Sequence, residues 1–333
     1  PRFGGTLLTD DVTIDNLSGK EWADKMISEL KEMPNVIVKN RSQVFGYYDH
    51  NMMVMFERTG DHLEKKSKYT PRQRLWYIRA KEVLLSTGSI ERPIVFGNND
   101  TPGVFLSAAA KEYIKVYGVL IGKKPLIFTN NDSAYETAIE FKKNGVEPLV
   151  LDTREDCNSE LINEAKDLKI DIRFSHAVLA ANGYKKVKSA TIGKLNNDKT
   201  DFVSTEIIDC DCICVSGFWT PTVHLASQSG NKLRFNDEID AFVPDKSKQN
   251  ENSIGSSNGT FTLKETLENS FKLGAEVSNK ITNKNEQILL PKSNERKYST
   301  HDKFWCSPLP RGKNFKRFVD FQNDVAVSDI EVA

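Results

Sequence analysis

The sequence predicts an α/β protein with two Rossmann-like dinucleotide domains, the second inserted into the first. One observation is a complete βαβ unit, with a strand over 125–128, a helix over 133–143 and a returning strand over 149–152. The other is a pair of apolar strands that end in small residues and glycine, at 86–88 and 216–217. Since nucleotides bind at the carboxyl ends of parallel strands, two such ends about one domain apart predict an interrupted nucleotide domain.

Length and composition are those of a globular protein with room for two domains. The chain has 333 residues, of which 38% are hydrophobic and 28% are charged. Its 46 basic and 46 acidic side chains balance, which argues against nucleic acid or a membrane surface as a partner. The chain begins at Pro1 without a methionine and shows no signal peptide, so we expect a piece of a longer protein.

Three of the five cysteines, Cys210, Cys212 and Cys214, alternate along one predicted strand. Residues two apart on a strand share a face. This pattern favours buried thiols in a reducing cytoplasm over a metal site or a disulfide framework. We therefore expect a cytoplasmic protein without a cysteine-bound metal.

The elements around the βαβ unit follow from apolar periodicity and turn residues. Before it we predict a glycine loop over 4–8, a helix over 18–31, a strand over 35–39, an extended segment over 43–48, two paired strands over 51–58 and 73–79, a strand over 83–85 and a helix over 107–117. After it we predict a β-meander with turns at 182–183 and 196–198, a strand over 212–216 and a helix over 263–273. The amino end of that last helix could face a phosphate.

The turn of the βαβ unit lacks the glycines of a phosphate-binding turn. Residues 129–134 read Thr-Asn-Asn-Asp-Ser-Ala, whose side chains would crowd a pyrophosphate, and Asp132 would repel it. Asp152 stands where a ribose-binding acid would be, but without the glycine turn we interpret it as a surface carboxylate. We therefore expect this domain to keep the fold without holding a nucleotide in the usual way.

Thr87 and Gly88 could line a cofactor at the end of their strand. Gly88 lets the backbone turn sharply at the strand end, although an ordinary strand-to-loop turn would look the same. His50 stands alone beside a turn and is interpreted as structural rather than as a proton relay. The sequence contains no nucleophile elbow and no Cys-x-x-Cys motif.

Five long phrases resemble the alpha subunit of heterotetrameric sarcosine oxidase. They are VFGYYDHN at 44–51, ERPIVFGNNDTPGV at 91–104, TNNDSAY at 129–135, SGFWTPTVHL at 216–225 and FVDFQNDV at 318–325. Because the phrases are long and run from one end of the chain to the other, the resemblance is specific.

The resemblance implies the two-domain architecture of flavoprotein disulfide reductases, with NAD rather than FAD held by the first domain. It implies that the amino-terminal strand with the glycine fingerprint and a carboxyl-terminal folate domain lie outside this chain. The expected divisions are 1–97 for the first part of the NAD-holding domain, 98–230 for the inserted domain, 231–277 for the return to the first, 278–317 for a linker and 318–333 for the start of a further domain.

The resemblance also implies the chemistry of the whole complex. Sarcosine, O2 and tetrahydrofolate would give glycine, methylenetetrahydrofolate and H2O2, which is an oxidation of a CH–NH donor. FAD and FMN would lie mainly on the beta subunit, with gamma and delta subunits completing the heterotetramer. The NAD held by the alpha subunit would not turn over.

By the same resemblance this stretch carries no catalytic residue but several that lie beside NAD. The expected cofactor-binding residues are Gly5, Thr6, Val44, Thr87, Gly88, Ser256, Phe261 and Leu263. Without the upstream glycine turn we expect this chain to bind NAD weakly by itself.

Two other functions remain open at this point. One is the alpha subunit of a related amine- or opine-oxidising flavoenzyme, although the clustered cysteines of an iron–sulfur centre are missing from the sequence. The other is a scaffold without catalysis or nucleotide, which the missing glycines of the βαβ turn favour.

Overall fold

The computed structural model describes residues 2–284, 288–294 and 301–333. The chain forms two compact units, unit 1 from residues 1–90 with 220–295 and unit 2 from residues 91–219 with 296–333. Unit 2 is therefore inserted into the chain of unit 1, and its parallel sheet with flanking helices confirms the predicted fold class.

The described elements up to residue 91 are a 3-10 helix, one α-helix and seven short strands. In chain order they are a 3-10 helix (Gly5–Leu8), β1 (Thr13–Ile14), β2 (Leu17–Ser18), α1 (Gly19–Glu32), β3 (Ser42–Tyr48), β4 (Met52–Arg58), β5 (Gln73–Arg79), β6 (Val83–Leu85) and β7 (Ser89–Glu91). Helix α1 begins with a capping box, in which Ser18 Oγ accepts from the Glu21 amide and the Glu21 carboxylate accepts from the Ser18 amide. The predicted helix is confirmed to within one residue at each end.

The strand predicted over 35–39 is wrong. This segment is irregular, and Ile37 is 83% exposed. In the part of the chain that the structure describes, no strand pairs with it, and an extended segment without a ladder partner cannot satisfy its backbone amides as a strand does. The extended segment predicted over 43–48 joins the two predicted paired strands in a three-stranded antiparallel sheet, in the order β3-β4-β5.

Residues 91–219 contain the parallel sheet of unit 2, its flanking helices and an antiparallel meander. In chain order they are β8 (Val104–Leu106), α2 (Ser107–Tyr117), β9 (Pro125–Thr129), α3 (Ser133–Lys143), β10 (Leu149–Asp152), α4 (Glu160–Asp167), β11 (Asp171–Phe174), β12 (His176–Asn182), β13 (Ser189–Leu195), β14 (Phe202–Asp209) and β15 (Cys212–Ser216). Five parallel strands lie in the order β11-β10-β9-β15-β8, and β12-β13-β14 form the predicted meander. Every residue of β9 and of β15 is buried, as expected for central strands covered on both faces.

The chain then returns to unit 1 and ends in unit 2. The remaining elements are β16 (Trp219–Pro221), α5 (His224–Gln228), β17 (Leu233–Asn236), β18 (Ala241–Pro244), β19 (Glu251–Ser253), a 3-10 helix (Gly255–Asn258), α6 (Leu263–Thr282), β20 (Phe318–Asp320), β21 (Val325–Ala326) and α7 (Val327–Val332). None of the helices within the described ranges is long and apolar enough to cross a membrane.

The segments predicted as a linker and a separate domain differ from the structure. Helix α6 continues to Thr282, nine residues beyond the predicted end at 273 and past the start of the linker at 278. The described residues from 301 onward pack in unit 2, where the Ser307 amide donates to the Val95 carbonyl at 2.7 Å. Asn99 donates to the Phe318 carbonyl and accepts from its amide, so β20 is fastened to unit 2 as well. Residues 285–287 and 295–300 of the predicted linker lie outside the described residues.

The three alternating cysteines do not share one face. Cys212 and Cys214 are fully buried on β15 and pack into the cluster beneath α2 and α3. Cys210 precedes the strand and packs into the cluster on the other face, with the β-meander. All three are buried, as predicted, but only Cys212 and Cys214 share a face. The shared face is wrong for Cys210, because the period of two begins only where the strand does. Within the described residues, no group of three or more His, Cys, Asp or Glu side chains could hold a metal.

The two small-residue strand ends belong to different units. Thr87 and Gly88 follow β6 in unit 1, whereas Ser216 ends β15, a central strand of unit 2. The interpretation of both as ends of one interrupted domain is therefore wrong for Ser216, which belongs to the sheet of the inserted unit.

Candidate functional site

The carboxyl ends of β6 and β19 lie side by side in unit 1. The two strands pair in parallel, with Val83 opposite Glu251 and Leu85 opposite Ser253. Beyond the pair, the Ile254 amide and the Ser257 hydroxyl both donate to the Leu85 carbonyl, at 2.9 and 3.1 Å. The loop after β19 is thus fastened to the end of β6, and this edge is where an open α/β sheet binds its ligand.

Thr87 and Gly88 form a fixed turn at this edge. The Thr87 hydroxyl donates to the Thr222 carbonyl at 2.8 Å, and the Thr222 amide donates to the Gly88 carbonyl at 2.9 Å. Gly88 has a φ of 75°, and a Cβ built on it would meet no heavy atom within 4 Å. The Thr87 side chain therefore anchors the turn, while the backbone at Gly88 borders open space that a ligand could enter.

The 3-10 helix after β19 offers a second polar group at the same edge. Ser257 is buried with its hydroxyl committed to backbone carbonyls, whereas Ser256 is half-buried and its hydroxyl has no partner among the described residues. Gly255 and Gly259 bracket this turn with φ values of 68° and 80°. The Ser256 hydroxyl is therefore available to bind a ligand.

Helix α6 begins four residues after Gly259, with Phe261 and Leu263 half-buried around its start. The residue before the helix, Thr262, does not cap its amides, because its hydroxyl donates to the Glu265 carboxylate at 2.7 Å instead. Uncapped first-turn amides suit an oxyanion, but the Glu265 charge at the same end opposes one. The phosphate role predicted for this helix end is therefore weakened.

The remaining predicted residues lie on other elements of unit 1. Gly5 and Thr6 form the 3-10 helix that packs on α1, and Gly5 has a φ of 53° with open space where a Cβ would lie. Val44 is half-buried on β3, beside a bulge in its pairing with β4. The structure thus brings Thr87, Gly88 and Ser256 together through β6 and β19, while Gly5, Thr6 and Val44 are positioned by α1 and β4.

The corresponding edge of unit 2 is filled by a buried ion-pair network. Arg154 is 5% exposed and binds Asp132 at 2.8 Å and Asp152 at 2.7 Å, and the Tyr135 hydroxyl donates to Asp152 at 2.8 Å. Asp152 is fully buried, so its interpretation as a surface carboxylate is wrong. Burial is possible because the Arg154 guanidinium neutralises it. Burial and the neighbouring Asp152 charge together raise the pKa of Tyr135 above its ordinary range.

A segment of unit 2 also covers this edge. The Asn130 amide group donates to the Asp302 carbonyl at 2.8 Å, and the Thr153 hydroxyl donates to the Asp302 carboxylate at 3.0 Å. Lys199 pairs with the same carboxylate at 2.6 Å. The chain itself thus occupies the ends of β9 and β10, which supports the expectation that the inserted unit does not hold a nucleotide in the usual way.

Glu91, the first residue of the phrase at 91–104, is a buried carboxyl group of unit 2. It is 5% exposed, and its Oε2 accepts from the Ala108 amide at 2.7 Å, in the first turn of α2. Leu106, the residue before that helix, has no side chain that could cap it. Desolvation raises the pKa of Glu91 to about 7. The side chain therefore caps α2 from a distant part of the sequence, which no local pattern could have indicated.

No known protein-family model matches the chain. Solved structures resemble it in fold, at sequence identities too low to indicate function. L-proline dehydrogenase from P. horikoshii has a TM-score of 0.60 at 20% identity, covering 86% of this chain and 50% of its own. T. acidophilum thioredoxin reductase has a TM-score of 0.55 at 15% identity, covering 78% of this chain and 80% of its own. The flavoprotein disulfide reductase RclA from Escherichia coli has a TM-score of 0.54 at 16% identity, covering 81% of this chain and 56% of its own. These likenesses agree with the predicted fold.

Sequence relatives cover nearly the whole chain. The sarcosine oxidase alpha subunit of Rhizobium meliloti (strain 1021) is 32% identical over 332 residues, which is 99% of this chain and 32% of that protein. The subunit of the same name from Corynebacterium sp. (strain P-1) is 30% identical over 329 residues, which is 95% of this chain and 33% of that protein. The chain spans about a third of the length of these relatives. The resemblance drawn from its phrases is thereby confirmed: over almost all of its own length, this chain is similar to part of sarcosine oxidase alpha subunits.

Proposed function

We propose that this chain is part of the alpha subunit of a heterotetrameric sarcosine oxidase and supplies its NAD-holding domain. The observation that carries the proposal is the similarity at 30–32% identity along almost the entire chain. Beta, gamma and delta subunits are the proposed partners, with FAD and FMN mainly on the beta subunit. Tetrahydrofolate would bind elsewhere in the alpha subunit.

The edge formed by β6 and β19 fits a dinucleotide in two respects. The open space over Gly88 lets a flat ligand approach the backbone, and Ser256 offers a hydroxyl without a described partner beside it. Phe261 and Leu263 would supply apolar contact around the start of α6. Gly5, Thr6 and Val44 complete the proposed set of NAD-binding residues.

In the proposed reaction, this chain binds and positions rather than transfers protons. The groups proposed to meet NAD at the β6–β19 edge are a hydroxyl, a glycine backbone and apolar side chains. The carboxylates nearby are already hydrogen-bonded, Glu251 to Ser253 and Glu265 to Thr262. When bound, NAD would be a held dinucleotide that does not turn over. Oxidation of the sarcosine methyl group, reduction of O2 to H2O2 and capture of the one-carbon unit by tetrahydrofolate would all occur outside this stretch.

The four-subunit complex, purified with its cofactors, tests this proposal. We expect it to oxidise sarcosine in preference to a panel of other secondary amines and opines, and to release NAD on acid extraction. A complex that lacks NAD, or that leaves sarcosine untouched while oxidising another amine, would contradict the proposal.

A pair of glycine substitutions separates ligand contact from backbone strain. Gly88 and Gly118 both have positive φ, 75° and 65°, and both have open space where a Cβ would lie, but Gly118 only ends α2 in unit 2. Alanine at either position strains the backbone by about 1 kcal/mol. We expect Gly88→Ala to lower the NAD content of the complex and Gly118→Ala to leave it unchanged. Equal NAD content in the two variants would remove Gly88 from the site.

A nucleotide-free scaffold is the second candidate. The carboxylate of Glu265 at the start of α6 and the filled edge of unit 2 favour it. Its signature would be a complex that assembles with the flavin-bearing subunits, oxidises amine and releases no nucleotide other than its flavins on extraction.

A further inference from the structure

A cleft of about 570 Å³ opens in unit 1 at the amino ends of β6 and β19. Residues 80–82, just before β6, and residues 248–250, just before β19, form two of its walls. The strands are three residues long, so this edge lies about 10 Å from the candidate NAD edge at their carboxyl ends. The cleft is of the size that small-molecule sites use and is separate from the site described above.

Its floor is built around one buried side chain. Asn51 is 5% exposed, and its Nδ2 donates to the carbonyls of Lys81 at 3.3 Å and Asn250 at 3.1 Å. Its Oδ1 accepts from the Tyr47 hydroxyl at 2.9 Å, and its backbone N–H donates to Gln249 Oε1 at 2.7 Å. One asparagine thus ties together the β3–β4 turn and the segments that lead into both parallel strands. The backbone under the cleft is therefore fixed in place before any ligand arrives.

Its rim is cationic. Lys81, Lys248 and Lys280 line the cleft, against Glu82 as the single carboxylate among its lining residues. Glu82 is bound to Lys280. Lys81 and Lys248 have no ion-pair partner in the part of the chain that the structure describes, and His50 adds a further nitrogen donor. A concave surface lined mainly by one sign of charge concentrates counter-ions of the other sign.

The two unpaired lysines come from adjacent strands. Each stands two or three residues before its strand, and the strands are neighbours about 4.8 Å apart. Their flexible side chains can therefore reach the same bound group from both sides, and an ammonium donates three hydrogen bonds to phosphate or carboxylate oxygens.

We propose that this cleft binds a small anion with two or more phosphate or carboxylate groups, held between Lys81 and Lys248. The site is independent of the NAD edge, since it lies at the other end of the strands. The floor supplies a fixed shape, and the lysines supply the charge.

Calorimetric titration of the 333-residue chain at low ionic strength tests this proposal, with inorganic pyrophosphate and citrate as separate probes. Binding of pyrophosphate alone would identify a phosphate ligand, and binding of citrate alone a carboxylate ligand. We expect the double substitution Lys81→Gln with Lys248→Gln to lower the affinity for the probe that binds by about tenfold. The matched control is Lys65→Gln with Lys68→Gln, which removes the same charge from the exposed tip between β4 and β5.

Gly88→Ala serves as the control for the other edge. We expect the control lysine pair and Gly88→Ala to bind the probe like the unaltered chain. Three results would overturn the proposal: no binding of either probe, equal weakening by the two lysine pairs, which would indicate attraction to net charge only, or weakening by Gly88→Ala alone, which would place the anion at the NAD edge.

Discussion

The replacement Glu91→Gln tests how burial acts on a single carboxyl group. Glu91 lies inside unit 2 with its Oε2 accepting from the Ala108 amide. Glutamine has the same shape, keeps a carbonyl oxygen for that amide and cannot ionise. The substitution therefore removes the buried charge while leaving the cap of α2 in place.

The magnitude follows from the shift in pKa. Desolvation raises the pKa of Glu91 from its ordinary 4.5 to about 7, and hydrogen bonds from Ser216 and Ala108 and the charge of Lys111 oppose this only in part. Because the folded protein holds the proton more tightly than the unfolded chain, this contribution to stability is full below about pH 4.5. It is lost as the pH rises through about 7. At 1.36 kcal/mol per unit, the loss is on the order of 3 kcal/mol.

Urea unfolding followed by fluorescence of the four tryptophans, from pH 4 to pH 8, measures the effect. We expect Glu91→Gln to match the unaltered chain at pH 4 and to exceed its free energy of unfolding at pH 8, by up to about 3 kcal/mol. Glu112→Gln, on the exposed side of the same helix, is the control and should show no such trend. A difference between Glu91→Gln and the unaltered chain that stays constant with pH, or one that favours the charged residue at pH 8, would refute the reasoning.

Three further substitutions test the packing and capping of the fold. Arg154→Leu leaves two buried aspartates without their cation and should lower the free energy of unfolding by about 3–5 kcal/mol in urea titration, whereas a loss below about 1 kcal/mol would show that the ion pairs with Arg154 do not stabilise the fold. Ser18→Ala removes half of the capping box and should cost about 1 kcal/mol, while Ser28→Ala, in the middle of the same helix, should cost less in the same urea titration. Phe128→Ala empties a fully buried position on β9 that packs edge to face on Phe96, and we expect a loss of about 3–5 kcal/mol by calorimetry. A loss near that of a surface substitution would mean that the core closes over the space.

Local pattern was enough wherever an element is defined by its own residues. Helix α2 begins and ends where its periodicity and Gly118 predict, since Gly118 adopts the left-handed conformation that closes a helix. The βαβ unit also has its predicted order, because the apolar strands and the helix between them are each encoded within a dozen residues. The strand predicted over 35–39 shows the limit, since its apolar residues have no neighbouring strand to pair with.

In the candidate site too, some features follow from local sequence and others only from contacts between distant segments. Thr87 and Gly88 were indicated by the strand end that they follow, and the structure places them at a sheet edge with open space over the glycine. The bond from the Thr87 hydroxyl to Thr222 joins segments far apart in the chain. So does the pairing of β6 with β19, which brings Ser256 to this edge, where its hydroxyl has no partner among the described residues. The cofactor roles of these residues stay a prediction until NAD content is measured.

By itself, the sequence determined the α/β class, the insertion of one unit into the other and the resemblance to sarcosine oxidase alpha subunits, since all of these reside in local runs of residues. Only the tertiary structure decided which charged side chains are buried and which of them come together. Asp152 looks exposed in the sequence and is buried because Arg154 folds back onto it, and Lys81 and Lys248 meet because β6 and β19 pair. The energy of a charge depends on its distance to other charges and to water, and folding sets those distances between residues that the sequence keeps far apart.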